Sequence, residues 1–224
     1  GVREMDSAVS DSEVSALNDI GVDAARISDT GEPIDTGGTN ADSEVSGAGV
    51  SVSPFGVIQG ECEELLPEIN DLNPSAFTQT FVFSGEPFDA SSLSSGAAAM
   101  FFEENAGGSS KCSEIFSYEV VSRCLDATLY KTETEIVYED VGALTDYAVT
   151  LVSNQRLGVS VTRAYKGPIL EYSLSDALEL LEKKLSGINE ATANVSPSDA
   201  WVKQVLHVWT LQPEWAGLVL DAWD

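Results

Sequence analysis

From Cys112 onward, apolar residues recur with a regularity that the preceding half of the chain lacks, and this sets what the chain can fold into. Ile115, Phe116, Val120, Val121, Cys124, Leu125 and Leu129 fall at helical spacing, with Ser113 placed to cap the start. Lys131 to Tyr138, Thr145 to Val152 and Leu157 to Tyr165 are rich in β-branched and aromatic residues and read as three strands. The turn at Ser153-Asn154-Gln155-Arg156 joins the last two into a hairpin. Gly167-Pro168 ends the third strand. Ser173 with Asp176 then opens a helix through Ala177, Leu178, Leu180, Leu181, Leu185 and Ile188, which Gly187 is placed to stop. Ser196-Pro197-Ser198-Asp199 begins a short turn carrying Trp201. Val205 to Leu211 reads as a fourth strand, and Pro213 opens a last helix with Trp215, Leu218, Val219 and Trp223. The expected fold class is α/β (α+β): a three-stranded meander plus a fourth returning strand flanked by helices, in the order α-β-β-β-α-β-α.

Charge divides the chain differently. Residues 1–110 carry Arg3 and Arg26 against 20 acids, and residues 111–224 carry 9 bases against 17 acids, so nets of -18 and -8 make up the -26 of the 224-residue whole. Residues 1–50 hold no aromatic residue and few large aliphatics, too little apolar area to offset a chain entropy of roughly 1–2 kcal/mol per residue. Three parts are expected: 1–54 a disordered acidic arm, 55–110 an irregular aromatic lead-in that docks on the domain, and 111–224 the α/β domain. Gly107-Gly108-Ser109-Ser110 is the linker signal between the last two. The start at Gly1 and the end inside the apolar stretch Leu218 to Trp223 read as a fragment, truncated at the C-terminus.

These features remove several function classes. A net charge of -26 repels polyanions at long range, so nucleic acid is expected only through a local, metal-assisted contact, and the acidic arm suits a basic protein partner. Cys62, Cys112 and Cys124 form no C-x-x-C pair and are too few for a disulfide scaffold, which makes reduced thiols the expectation. His207, the single histidine, leaves no multi-histidine metal site. No apolar run reaches the roughly 18–20 residues of a membrane span and no signal peptide is recognisable, so a soluble, intracellular protein, cytoplasmic or nuclear, with no membrane partner is expected.

The element order of residues 112–224, with Thr145-Asp146-Tyr147 opening the second strand and Gly158-Val159-Ser160-Val161-Thr162-Arg163 on the third, resembles the PD-(D/E)XK, or restriction-endonuclease-like, nuclease superfamily. The resemblance implies a core in which Asp146 binds Mg²⁺ or Mn²⁺ for phosphodiester cleavage. On the same resemblance Ser160 falls where a second acid belongs and Thr162 where a lysine belongs, so the motif is degenerate. Glu119, Glu133, Glu135, Glu179 and Glu182 are the acids able to fill the gap, with Glu133 and Glu135 on one face of the first strand and Lys183 beside Glu182 on the long helix. A pair of cations there would stabilise the attacking and leaving oxygens.

Register decides what Asp146 meets. A two-residue loop, Asn154-Gln155, sets it opposite Arg163 as an ion pair; a three-residue loop through Ser153 sets it opposite Thr162, beside two hydroxyls. Against these stand plainer roles: a strand-end cap for Asp146, ordinary strand positions for Ser160 and Thr162, a surface pair for Glu179 and Lys183, and a hydrogen-bonded core site for His207. Three functions compete: a metal-dependent nuclease-like domain, a non-catalytic relic of that fold that binds protein, and an acidic adaptor needing no cofactor.

Overall fold

The computed structural model describes residues 50–52, 55–59, 62, 69–71, 73–85, 88–103, 111–167 and 170–224. Within 111–224 the first helix is α2, Lys111–Leu125. It starts two residues before Ser113, because Cys112 is buried against Phe55 and Phe116 and draws the preceding turn into the helix. Ser113 is therefore not a cap: its Oγ is buried and makes no hydrogen bond among the described residues.

Four strands follow: β4 Thr128–Thr132, β5 Tyr147–Thr150, β6 Arg156–Ala164 and β7 Lys203–Thr210. They lie side by side in that order, the first two contacts antiparallel and β6 with β7 parallel. A parallel neighbour needs a long crossover, here supplied by α3, Leu174–Asn194. Helix α4, Pro213–Trp223, comes after β7. One face of the sheet, with Tyr147, Val149, Leu157, Val159 and Val161, packs on Ile115, Tyr118, Val121 and Leu125 of α2. On the opposite face Ala164 and Val208 meet Ala177 of α3 and Trp215 and Val219 of α4. Each fully buried side chain of this kind contributes about 1.5–3 kcal/mol.

Several boundaries move from their sequence positions: α2 ends at Leu125, and Leu129, expected in that helix, lies in β4, which begins at Thr128 rather than Lys131. Strand β4 ends at Thr132 rather than Tyr138, since the Glu135 carboxylate accepts from the Thr132 N–H while the Glu135 and Ile136 N–H groups donate to the Thr132 carbonyl. Glu133 and Glu135 thus lie in a turn and not on a strand face. Ser173 and Asp176 do form the capping box of α3, but the helix runs through Gly187 to Asn194. A Cβ at Gly187 would lie 3.5 Å from Ala143, an ordinary contact, so the position is an interior helical one with room for a side chain.

The segment expected to be irregular carries defined elements. Strands β1 Val50–Val52, β2 Gly56–Gln59 and β3 Thr80–Phe83 make an antiparallel sheet, followed by a short 3-10 turn, Ala90–Ser92, and α1, Ser95–Phe102. Strand β1 falls inside the stretch assigned to the arm; residues 1–49 and the 107–110 linker lie outside the described residues. The whole is a mixed α/β protein with two sheets and four helices among the described residues. No described helix is long and apolar enough to cross a membrane. Cys62 and Cys124 are joined in a disulfide across 62 positions, and Cys112 is a buried residue outside that bridge. The expectation of three reduced thiols is therefore corrected, and with it goes the argument for a reducing compartment.

Candidate functional site

The β5–β6 hairpin closes on Val152-Ser153-Asn154, a loop neither expected register contains. Thr150 pairs with Arg156, the Leu151 N–H donates to Gln155 O at 2.9 Å, and the Asn154 N–H donates to Leu151 O at 2.8 Å. Asn154 has φ 65°, the left-handed residue that closes a three-residue hairpin and that asparagine tolerates. Tyr147 then pairs with Val159, and one step further sets Asp146 across from Ser160, not Thr162 or Arg163. Arg163 falls on the alternate face, so the ion-pair expectation is withdrawn.

Asp146 stands half-buried at the open end of β5, and its Oδ2 accepts the Val161 N–H at 2.7 Å. Burial pushes its carboxyl above the ordinary value, against the pull of the Val161 N–H and of the Lys184 ammonium. Lys184 reaches over from α3, with Nζ 3.5 Å from the Val161 carbonyl. Glu133, half-buried in the turn after β4, is near enough to feel the Asp146 charge. Its carboxyl is also raised, first by burial and then by the charges of Asp146 and Glu103. Tyr138 completes the wall: its hydroxyl accepts the Thr145 N–H at 2.9 Å, and burial raises its phenol, with Glu133 and Asp146 adding to the rise.

The remaining candidates have other work. Ser160 Oγ accepts from Gln204 Nε2 at 3.0 Å, and the same nitrogen donates to Thr145 Oγ1 at 2.8 Å. Gln204 Oε1 in turn accepts from Thr192 at 2.8 Å, so this amide ties the segment leading into β5 to β6, β7 and α3. Thr162 is half-buried on the same strand. Glu119 is buried and accepts the Ser94 N–H at 2.7 Å, holding the start of α1. Glu135 is spent on its turn, and Glu179, Glu182 and Lys183 are exposed on α3. His207 Nδ1 lies 2.8 Å from Ser117 Oγ, which also meets the Tyr147 hydroxyl at 2.8 Å, and its ring stacks on Trp209. Burial of its ring lowers His207 to about 4, so it is a neutral, hydrogen-bonded group on the half-buried strand β7.

Sequence reasoning passed over Lys184 and Tyr138. The signal for Lys184 was present: it shares the helical face of Ala177 and Leu181, a cation set into an apolar stripe. No group of three His, Cys, Asp or Glu side chains that could hold a metal forms among the described residues. Asp146 and Glu133 are two, which suits Mg²⁺, an ion commonly held by one or two carboxylates plus waters and substrate phosphate.

No family model and no solved structure matches the chain. It is similar to the AAC-rich mRNA clone AAC4 protein of Dictyostelium discoideum, 39% identical over 140 residues, which is 58% of this chain and 20% of that protein. The matched region thus spans about a fifth of that relative's length.

Proposed function

We propose that this chain carries a restriction-endonuclease-like core and acts as a metal-dependent nuclease-like domain on phosphodiesters. What supports it is Asp146 and Lys184 converging on the backbone of Val161 at the open end of β5 and β6, with a second half-buried carboxylate, Glu133, close enough to feel the Asp146 charge. Shifted groups that cluster in this way mark sites of chemistry more often than of support. The element order and the mixed sheet with a parallel β6–β7 contact favour the same fold. Lys184, from α3, stands in for the strand lysine whose place Thr162 occupies.

Asp146 and Glu133 would hold Mg²⁺ or Mn²⁺, which supplies Lewis-acid polarisation and an acidic bound water. Asp146 is oriented for this by the Val161 N–H. Lys184 offers a positive charge to phosphate oxygens, and Tyr138 narrows the approach. The test is cleavage of single- and double-stranded DNA and RNA with Mg²⁺ or Mn²⁺. Asp146→Ala is expected to lower the rate roughly 10²–10³-fold, a loss Lys184→Ala shares in part. Cation-dependent cleavage that survives Asp146→Ala would overturn the assignment.

A second reading, a non-catalytic relic that binds protein, is favoured by Ser160. It lies in the place of the second acid and is committed to Gln204. Cation binding at Asp146 without cleavage of any nucleic acid would select it, and a basic protein would then be the partner suited to a net charge of -26.

A further inference from the structure

Asp146 lies one residue outside the β5 ladder, which begins at Tyr147, so sheet pairing does not itself fix where its carboxylate sits. Its neighbour Thr145 is held by other means. Thr145 is fully buried; its N–H donates to the Tyr138 hydroxyl at 2.9 Å, and its Oγ1 accepts from Gln204 Nε2 at 2.8 Å. At 3.0 Å the same nitrogen donates to Oγ of Ser160, the residue that precedes Val161 on β6. One amide group therefore holds a neighbour of Asp146 and a neighbour of Val161, the two partners of the 2.7 Å bond that orients the carboxylate.

To reach both hydroxyls the Gln204 side chain must cross β6, and the strand is bare where it does so. Gly158 is level with Gln204. A Cβ on it would lie 2.9 Å from the Trp201 ring and 3.3 Å from Gln204 Cγ, so a side chain there would displace one or both. A glycine inside a strand often marks a close approach of this kind. The far end of the amide is also fixed: Thr192 Oγ1 of α3 accepts from Trp201 Nε1 at 3.1 Å and donates to Gln204 Oε1 at 2.8 Å. An indole N–H only donates, so the Thr192 proton is left for Oε1, and Nε2 is turned toward Thr145 and Ser160.

We infer that Gln204 is a positioning residue of the Asp146 site: by holding Thr145 and Ser160 it sets Asp146 against the Val161 N–H, and with that the carboxylate geometry offered to a divalent cation. The inference rests on the reading of Asp146 as a cation ligand. Residues that hold a ligand in place without touching the metal commonly matter about 10–100-fold to its affinity.

Two variants separate positioning from support. Gln204→Met keeps the volume but leaves two buried hydroxyls without their donor. Gln204→Met combined with Thr145→Val and Ser160→Ala removes those hydroxyls as well, and should regain most of the stability lost in urea unfolding. Two readouts are taken on the full chain: Mn²⁺ affinity by calorimetry, and hydrogen exchange of the Val161 amide by NMR without cation. In both variants Mn²⁺ should bind roughly 10–100-fold more weakly, and the Val161 amide should exchange faster than in the native chain. Native Mn²⁺ affinity in the triple variant, or Val161 exchange unchanged in both variants, overturns the inference and leaves the cation reading standing. No Mn²⁺ binding by the native chain overturns the cation reading and the inference with it.

Discussion

Asp199 and Asp146 are both aspartates taken partly or wholly from water around the four-stranded sheet, and their surroundings treat them in opposite ways. Asp199, 2% exposed, accepts from Lys131 Nζ at 2.9 and 2.8 Å, from the Tyr130 hydroxyl at 3.0 Å and from the Val137 N–H at 2.8 Å. Burial would raise its carboxyl, but the bonds to Lys131, Val137 and Tyr130 outweigh that and hold it below the ordinary value. Asp146 has the Val161 N–H and a more distant ammonium, and there burial wins. An acid given a full set of donors is a brace, while one left short of them beside a second acid is suited to receive a cation. The contrast separates support from chemistry without recourse to any relative.

Removing the brace gives the largest expected effect. Asp199→Ala leaves Lys131 without its counter-charge and the Val137 N–H without an acceptor, which unpins the turn after β4 from the α3–β7 connection. About 3 kcal/mol of stability should be lost in urea unfolding. A loss below about 1 kcal/mol, the range of an exposed pair, would break the comparison.

His207 sharpens it through pH. Its folded value is depressed to about 4 from 6.5, so the folded state binds fewer protons than the unfolded chain between those values. Its contribution is complete above pH 6.5 and declines as pH falls toward 4, reaching about 3 kcal/mol of lost stability. Asp199 acts in a lower window: being depressed, it contributes above the unfolded value of 3.8 and fails only as pH falls through its folded value. Unfolding curves at several pH values should show the first loss vanish in His207→Gln while the second remains.

Much of this was legible in local pattern. Ser173 and Asp176 start α3, Pro213 starts α4, and the β-branched runs of β5, β6 and β7 lie within two residues or so of their sequence positions, because each is specified by residues near in sequence. Misread features depend on distant partners. Gly187 resembles a helix stop but lies inside α3, which runs on to Asn194, and β4 ends early because Glu135 folds back on Thr132. The Cys62–Cys124 disulfide joins segments 62 positions apart and has no local signature. At the candidate site Asp146 could be singled out, but its loop closes on Asn154 in the left-handed region, and a register shift of three or two residues changed its partner from Arg163 or Thr162 to Ser160. Lys184 had a local signal, its place on the face of Ala177 and Leu181, but that this face brings it to Asp146 depends on distant packing.

The smallest effect on stability carries the most information about the site. Because burial raises Asp146, the folded state favours its protonated form, and the group's contribution to stability declines as pH rises from the unfolded value of 3.8 through the folded value. At neutral pH the charge is therefore a cost to the fold. Asp146→Asn keeps the shape and an acceptor for the Val161 N–H, removes that charge, and relieves Glu133 of one of the charges that raise it. Stability should rise slightly, by less than about 1 kcal/mol, where the same change at Asp199 destabilises. Melting with added Mn²⁺ makes the distinction sharper: the native chain should gain stability with cation concentration as a ligand-binding fold does, and Asp146→Asn should not. If instead Asp146→Asn melts well below the native chain and the cation response is unchanged, Asp146 is a second brace and the opposition between the two aspartates disappears.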